Sequence, residues 1–251
     1  MSKSIAFITG ATSGIGKATA KVLANNNFNL VICGRREERL KELKTELSTH
    51  CAVEALSFDV RDKSAVQQAI DSLSTDFSNI DVLINNAGNA HGLAPIQNGS
   101  IEDWDAMIDI NVKGLLYVSK SIIPQMVARS AGHIVNIGSI AGKEVYPNGN
   151  VYCASKHAVD ALNNGMRLDL NGTGVKVTAI NPGLVETEFS LVRFKGDAEK
   201  SGNVYTGYTP LTPEDIAETI LFAITRPPHV NISDMIVFPT DQASSTIVNK
   251  S

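Results

Sequence analysis

A tyrosine and a lysine four residues apart, Tyr152 and Lys156, have the most chemically suggestive spacing in this sequence of 251 residues. In a helix that spacing brings both side chains to one face. Free tyrosine has a pKa of about 10 and is a poor base at neutral pH. An ammonium group one helical turn away stabilises the phenolate, so Tyr152 could give a proton to a carbonyl oxygen or take one from an alcohol. Ser139, which follows a predicted strand, could donate a hydrogen bond to the same oxygen.

A glycine-rich turn lies near the start of the sequence, directly after the first apolar run. Glycine lets the backbone approach a pyrophosphate, and the following helix offers free N–H groups and the positive end of its dipole. The spacing is G-x-x-x-G-x-G, without the Lys-Ser/Thr pair of nucleoside-triphosphate loops. A purely structural turn is the alternative, but a position between a strand and an amphipathic helix favours a dinucleotide site. The candidate contacts are Gly10, Thr12, Ser13, Gly14, Ile15 and Gly16.

Two arginines follow the second apolar run, where many NAD-binding folds have an acidic residue for the ribose hydroxyl. Here that position holds Gly34, followed by Arg35 and Arg36. No negative charge would repel a 2′-phosphate, and the guanidinium groups could bind it with charge-assisted hydrogen bonds. The alternative is that the two arginines are the solvated start of the next helix, since the charged residues that follow make the whole segment polar. The pattern therefore predicts NADP as the cofactor.

Short apolar runs alternate with amphipathic segments along the chain and predict the elements that must position these residues. The runs are short and rich in Val and Ile, as strands buried on both faces should be. They are Ile5–Ile8, Leu30–Cys33, Val53–Phe58, Val82–Ile84, Ile134–Ile137, Val175–Ile180 and Met235–Phe238. Helical spacing of apolar residues between them predicts crossover helices. We therefore expect an α/β fold: one Rossmann-like domain over residues 1–251, with a doubly wound parallel sheet of about seven strands and helices on both faces.

Composition excludes several classes of protein. Hydrophobic residues make up 43% and charged residues 19% of the chain, which is typical of a folded globular protein. A net charge of −4 without a basic block is unfavourable for nucleic-acid binding. No apolar run approaches the roughly 18–20 residues of a membrane span, and the first residues do not resemble a signal peptide. The three scattered cysteines form neither a disulfide framework nor a metal pattern, so we expect a reduced, cytoplasmic protein without a metal site.

Taken together, the glycine turn, the Asn-Asn-Ala-Gly segment at residues 85–88, Ser139 and the Tyr152/Lys156 pair resemble the short-chain dehydrogenase/reductase family. The combination is specific, although no single piece is, and it extends from about residue 5 to residue 239. The resemblance gives Lys156 a second role, holding the nicotinamide ribose. It implies that Asn111, in a predicted helix, holds a water on the proton path.

The resemblance also implies further cofactor contacts. Asp59 and Val60 would border the adenine, although Asp59 could also cap the next helix. The remaining implied contacts follow the fourth and sixth predicted strands; they are Asn86, Ala87, Gly88, Pro182, Gly183, Val185 and Thr187.

Within this family the sequence is similar to the NADP-dependent 3-hydroxy acid dehydrogenases, which also act on serine and allo-threonine. The similarity lies in residues 34–40, 149–152 and above all 187–197. It implies oxidation of a 3-hydroxy acid to a 3-oxo acid, or the reverse reduction, by a homotetramer whose tail, residues 240–251, touches a neighbouring subunit. A general NADPH-dependent carbonyl or 3-oxoacyl reductase is the alternative. A non-catalytic dinucleotide-binding regulator is a remote one, because a regulator needs no proton donor.

The segment of residues 184–209, called the lid below, is long, charged and glycine-containing, which is typical of a lid or binding loop. It contains one arginine, Arg193, whose planar fork suits the carboxylate of a hydroxy acid. We therefore predict that substrate contacts Ser139, Tyr152 and Arg193. Lys195 is the competing cation, and a surface or interface ion pair is the alternative role for Arg193.

Overall fold

The computed structural model describes residues 3–251 and contains one seven-stranded sheet in which every neighbouring pair of strands is parallel. Its order is β3-β2-β1-β4-β5-β6-β7. The strands are β1 Ser4–Thr9, β2 Phe28–Gly34, β3 Val53–Ser57, β4 Val82–Asn85, β5 Gly132–Ile137, β6 Val175–Pro182 and β7 Asp234–Val237. The predicted doubly wound α/β fold is confirmed, and each predicted run lies on one of these strands, with ends displaced by at most two residues.

Helices cover both faces of the sheet because the central strands β1, β4, β5 and β6 are largely buried on both sides. In β1, Ala6 and Ile8 pack into one buried cluster, and Ile5 and Phe7 pack into another on the opposite face. Helices α1, α2 and α9 contribute to the first cluster, and α3 and α5 contribute to the second. The helices are α1 Gly14–Ala24, α2 Glu37–Leu47, α3 Lys63–Asp71, α4 Ile101–Ile108, α5 Leu115–Ala128, α6 Asn150–Asp169, α7 Glu188–Arg193, α8 Ala198–Asn203 and α9 Pro213–Ile224. No helix within residues 3–251 is long and apolar enough to span a membrane.

The lid is partly helical, which its sequence did not indicate. It contains α7 and α8, each of six residues. The tail folds back onto the lid of its own chain: Gln242 Oε1 accepts a hydrogen bond from Leu184 N at 2.8 Å, and Ser251 N donates one to Gly207 O at 2.9 Å. The expected contact of residues 240–251 with a neighbouring subunit stays a prediction.

The residue that caps α3 differs from the one considered from the sequence. Asp62, not Asp59, accepts hydrogen bonds from the N–H groups of Ser64 and Ala65, at 2.9 and 3.0 Å. The Asp59 carboxylate instead binds the guanidinium of Arg61. The capping alternative for Asp59 is therefore wrong, because Asp62 is the residue that directly precedes the helix.

A buried histidine in β5 makes stability sensitive to acid. His133 is 3% exposed, its Nε2 lies 2.7 Å from Thr178 Oγ1, and its Nδ1 has no partner within residues 3–251. Burial lowers the pKa of His133 to about 3, so the native state keeps the ring neutral while the unfolded chain takes up a proton. Its stabilising contribution is therefore complete above a pH of about 6.5 and is lost as the pH falls toward about 3.

We expect acidification to about pH 5 to lower the free energy of unfolding by about 2 kcal/mol through this residue. The measurement is urea unfolding at neutral and acid pH for the parent, His133→Gln and the exposed-site control His50→Gln. The loss on acidification should shrink in His133→Gln and stay unchanged in His50→Gln. Equal acid sensitivity in all three proteins would contradict this role for His133.

Candidate active site

A cleft of about 680 Å³ opens at the carboxyl ends of the strands. It spans the point between β1 and β4 where the strand order reverses, which is where open parallel sheets bind ligands. Most of the residues singled out from the sequence line it. These are Gly10, Thr12, Ser13, Gly14, Ile15, Arg35, Arg36, Asp59, Val60, Asn86, Ala87, Gly88, Ser139, Tyr152, Lys156, Pro182, Gly183, Val185, Thr187 and Arg193. Gly16 and Asn111, two of the predicted site residues, do not line the cleft.

The glycine turn fits a pyrophosphate because the first turn of α1 lacks its usual partners. Gly10 and Gly14 have φ angles of 66° and 50°, in the left-handed region that glycine adopts without strain. Ser13 precedes α1 without a capping hydrogen bond from its side chain, and no acidic residue lies in the first turn. The free N–H groups and the helix dipole therefore remain available for an anion. Gly16 is required for packing, since a Cβ there would lie 2.5 Å from Gly10 O.

Thr9, a residue that the sequence did not single out, joins two walls of the cleft, the glycine turn after β1 and the segment after β4. Its hydroxyl oxygen accepts hydrogen bonds from the N–H groups of Asn86 and Ala87, both at 2.9 Å. The Asn86 side chain donates in return to Thr9 O at 2.8 Å. These bonds join the ends of β1 and β4 and set the width of the cleft. Only the paired register of the two strands reveals this role for Thr9.

The two arginines predicted to bind a 2′-phosphate line the cleft but differ in their contacts. Arg36 donates hydrogen bonds to Thr12 Oγ1 at 2.9 Å and Ser13 Oγ at 2.6 Å, and its Nη1 lies 2.8 Å from a carboxylate oxygen of Glu188. Arg35 is freer, with its guanidinium 3.7 Å from Asp59 and 58% of its side chain exposed. Arg36 is thus fixed before any ligand binds, whereas Arg35 is free to turn toward one.

Glu188 connects the lid to this arginine cluster. Its carboxylate pairs with Arg39 as well as with Arg36, in each case at 2.8 Å. The hydrogen bond from Arg36 lowers the pKa of Glu188 below its usual range, and the bond from Arg39 adds to the effect. On the other side of the cleft, Lys195 of the lid lies 3.0 Å from Asp103 of α4. The lid is therefore tied to both walls, by contacts that could not be read from local sequence.

The predicted proton-transfer residues meet at the inner end of the cleft. Tyr152 and Lys156 lie on the same face of α6, and both are buried. Lys156 Nζ donates to Ile137 O at 2.9 Å, and burial lowers its pKa to about 8. Ser139 begins the short helical turn at residues 140–142, where its hydroxyl oxygen accepts a hydrogen bond from Ala141 N.

The electrostatics of Tyr152 differ from the expectation drawn from its spacing to Lys156. Burial raises the pKa of Tyr152 above its ordinary value. The groups that oppose this shift are the charge of Arg193 and a hydrogen bond with Ser139. The ammonium of Lys156 is directed to a backbone carbonyl, so the expected lowering of the pKa by Lys156 is not what this structure shows.

Asn111 lies in a π-helical turn, Asp109–Gly114, between α4 and α5, rather than in the regular helix expected from the sequence. Its carboxamide donates to Asn89 O at 2.8 Å and to Ser155 Oγ at 3.0 Å, and accepts from Asn89 N at 2.8 Å. Wide turns of this kind are frequent at functional sites. Asn111 thereby joins the loop after β4 to α6, and its role in holding a water stays a prediction.

The lid places Arg193 beside Tyr152, the predicted proton donor. Its Cζ atom lies 4.8 Å from the centre of the Tyr152 ring and 5.2 Å from that of Phe189. Its Nη2 donates to Tyr146 OH at 2.7 Å, while its buried Nε has no partner within residues 3–251. Sequence reasoning missed Tyr146 and Phe189, whose contribution depends on how the lid folds. The result is a cationic, partly aromatic end to the cleft next to Tyr152.

Comparison with known proteins agrees with this geometry. The family model described as short chain dehydrogenase matches residues 4–197. The NADP-dependent 3-hydroxy acid dehydrogenase YdfG of Salmonella typhi is 48% identical over 240 residues, 95% of this chain and 96% of that protein. Sulfoacetaldehyde reductase 2 of Chromohalobacter salexigens is 47% identical, covering 96% of each chain.

Solved structures agree as well. The closed form of serine dehydrogenase complexed with NADP⁺ is 44% identical, covers 98% of this chain and 99% of that chain, and has a TM-score of 0.93. Serine dehydrogenase from Escherichia coli is 40% identical, covers 95% of this chain and 99% of that chain, and has a TM-score of 0.82. With its sheet, its glycine turn and its Ser139, Tyr152 and Lys156 in one cleft, this chain belongs to the short-chain dehydrogenase family.

Proposed function

We propose that this protein is an NADP-dependent oxidoreductase that oxidises 3-hydroxy acids, such as serine, allo-threonine and 3-hydroxybutyrate, to 3-oxo acids, or catalyses the reverse reduction. The observation that carries the proposal is the position of the Arg193 guanidinium, beside the proton donor Tyr152 in the cofactor cleft. The names of the relatives, an NADP-dependent 3-hydroxy acid dehydrogenase and a serine dehydrogenase, support it.

The cleft fits the proposed cofactor. The open start of α1 would hold the pyrophosphate, Asp59 and Val60 would border the adenine, and Arg35 and Arg36 would bind the 2′-phosphate. Lys156 and the segment from Pro182 to Thr187 would hold the nicotinamide half. NADP, when bound, accepts a hydride from the alcohol carbon or returns it to the carbonyl.

The chain's own residues handle the proton. In oxidation, the phenolate of Tyr152 takes the hydroxyl proton of the substrate while the C–H bond gives up its hydride. The Ser139 hydroxyl fixes the position of the reacting oxygen by a hydrogen bond. In reduction the Tyr152 hydroxyl returns the proton to the carbonyl oxygen. Tyr152 and Lys156 are largely buried at the inner end of the cleft, which limits their contact with bulk water.

Arg193 is the better placed of the two lid cations to hold the substrate carboxylate. Lys195 is paired with Asp103, and 63% of its side chain is exposed. Within residues 3–251 the Arg193 side chain makes one hydrogen bond, to Tyr146, and its buried Nε has no partner, so it could donate to a carboxylate. Fixing the carboxylate would set the distance of the carbinol carbon from Tyr152, which is what the transfer geometry requires.

Arg193→Ala should lower kcat/KM for 3-hydroxybutyrate by about 10–150-fold. This factor corresponds to the roughly 1.5–3 kcal/mol that a hydrogen bond to a charged group contributes. The methyl ester of the same acid has no charge to anchor and should lose much less. Both rates are measured on the alkaline plateau of each enzyme's pH profile, so that protonation of Tyr152 does not enter. Equal losses on acid and ester would assign Arg193 to lid folding or to a subunit contact.

The function itself is tested by a substrate panel of serine, 3-hydroxybutyrate and diacetyl, each with NADP and with NAD. We expect NADP-dependent oxidation of the two hydroxy acids. Activity confined to diacetyl would favour a general carbonyl reductase, and no turnover with any substrate would favour a non-catalytic dinucleotide-binding protein.

Sulfoacetaldehyde reduction is a second candidate, because the guanidinium of Arg193 suits a sulfonate as well as a carboxylate. In sulfoacetaldehyde one methylene separates the carbonyl from the anion, as one carbon does in a 3-oxo acid. One relative is named a sulfoacetaldehyde reductase. Comparing sulfoacetaldehyde with a 3-oxo acid as substrates for NADPH-dependent reduction separates the two functions.

We also propose that the protein is a cytoplasmic homotetramer. Strand β7 ends the sheet, and exposed apolar side chains such as Ile236 in β7 and Leu168 in α6 support burial against other subunits. All three cysteines are buried and free, which suits a reducing compartment. Sedimentation equilibrium measures the assembly, and cell fractionation tests the location.

A further inference from the structure

A cation, the Arg193 guanidinium, lies above the ring of Tyr152. The roles given above to Tyr152, Ser139 and Lys156 in proton transfer make no use of it. The Arg193 Cζ lies 4.8 Å from the centre of the Tyr152 ring, and Phe189 packs against the same ring edge-on, with 5.6 Å between ring centres. Lys156, one turn along α6, donates to Ile137 O. The permanently charged guanidinium is therefore placed against the π-face of the group that must carry a negative charge during proton transfer.

The position of Arg193 is fixed by contacts from several segments. Tyr146 OH accepts a hydrogen bond from Arg193 Nη2 at 2.7 Å, and the Tyr146 ring centre lies 5.8 Å from Arg193 Cζ. The backbone is held as well, because Gly92 N donates to Arg193 O at 2.9 Å. The guanidinium is thus not a freely moving surface charge, and its distance from the phenol is defined.

Among the charged and titratable groups described around Tyr152, Arg193 is the cation that lies over its ring. Tyr146, from the segment before α6, and Cys153, on α6 itself, are uncharged at neutral pH, and burial raises the pKa of each. His91 and Asp103 line a smaller cavity beside Tyr152, and Asp103 is paired with Lys195. Burial raises the pKa of Tyr152, and the charge of Arg193 opposes that rise.

We propose that the Arg193 guanidinium stabilises the phenolate form of Tyr152, and that the Tyr146 hydroxyl is a positioning group that holds it there. This role rests on the proposed function, since it requires Tyr152 to exchange a proton with the substrate. It is separate from carboxylate binding, because it acts on every substrate, charged or not. A cation within about 4–6 Å of an acid stabilises its ionised form.

The test uses an uncharged substrate, so that carboxylate binding does not contribute. The rate of oxidation of methyl 3-hydroxybutyrate with NADP is measured against pH, and the midpoint of the rise in kcat/KM reports ionisation of Tyr152 in the cofactor complex. Arg193→Gln removes the charge and should move this midpoint upward by about one pH unit. Arg193→Lys retains a cation and should recover most of the shift. Tyr146→Phe should give a smaller upward shift.

The matched control is Lys200→Gln, which removes a lid cation from an exposed ion pair with Asp197 and should leave the midpoint unchanged. A midpoint does not depend on the fraction of enzyme that is folded, so partial unfolding of a variant does not imitate the effect. A midpoint within a few tenths of a unit of the parent value in Arg193→Gln would overturn the proposal. Absence of any NADP-dependent turnover in the parent would instead overturn the proposed function.

Discussion

Replacing Tyr152 by phenylalanine is expected to lower turnover by roughly 10²–10⁴-fold, the usual contribution of general acid–base catalysis. The substitution removes the ionisable hydroxyl and keeps the ring. The ring's packing against Phe189 and under Arg193 should therefore persist, and NADP binding should stay within a few-fold of the parent. The loss should appear in both directions of the reaction, because the same hydroxyl gives and takes the proton.

The measurement pairs steady-state rates with an NADP dissociation constant from calorimetry, and Tyr117→Phe in α5 is the matched control. Tyr117 packs against the core and does not line the cleft, so its variant should retain full turnover. A Tyr152→Phe enzyme with turnover within a few-fold of the parent would remove Tyr152 from the mechanism. Loss of NADP binding in that variant would show structural damage instead.

The strands could be predicted because burial on both faces of a parallel sheet leaves a direct mark in the sequence. Runs such as Leu30–Cys33 are apolar without alternation, and the structure buries the whole run. The ends were less predictable, because hydrogen bonds to neighbouring strands decide them. The two short helices of the lid were missed because α7 and α8 are each only six residues long, too short for a clear apolar stripe.

The site residues could be predicted where one turn or one helix positions them. The glycine turn and the Tyr152/Lys156 pair are local patterns, and both lie in the cleft as expected. Thr9 and Tyr146 were missed because their partners are distant in the sequence: Thr9 binds residues 86 and 87, and Tyr146 binds Arg193. Such contacts exist only once the sheet has assembled and the lid has folded over it.

Electrostatics was the least predictable part of the site. Spacing alone suggested that Lys156 lowers the pKa of Tyr152, but burial has the larger effect and raises it. Burial also lowers the pKa of Lys156 itself, to about 8. Local sequence does not show how deeply these two polar side chains are buried, and burial disfavours the charged form of each group.

The arginine pair shows why contacts matter for cofactor selection. Arg36 is bonded to Thr12 and Ser13 of the glycine turn, so it supports the pyrophosphate site as well as a 2′-phosphate. Arg35 has no bond to the turn, and its closest charged partner is Asp59 at 3.7 Å. The two residues, equivalent in the sequence, should therefore differ in how selectively their loss affects NADP over NAD.

Arg35→Ala is expected to weaken NADP binding by about 10–150-fold and to leave NAD binding unchanged, because only NADP carries the 2′-phosphate. Arg36→Ala should weaken NADP to a similar extent and NAD by several-fold, since the glycine turn loses its hydrogen bonds to Arg36. NADP affinity should fall at least about 100-fold in the double variant, because each lost charge-assisted hydrogen bond costs roughly 1.5–3 kcal/mol.

Calorimetric dissociation constants for NADP and NAD measure these differences, and Arg39→Ala is the control. Arg39 shares Glu188 with Arg36 but does not line the cleft, so its loss should change neither affinity by more than a few-fold. The control also distinguishes loss of 2′-phosphate binding from loss of lid contacts. Removing Arg39 takes one ion pair from Glu188 of the lid and leaves Arg35 and Arg36 in place. If NADP and NAD weaken equally in every Arg35 and Arg36 variant, the 2′-phosphate is bound by other residues and the assignment is wrong.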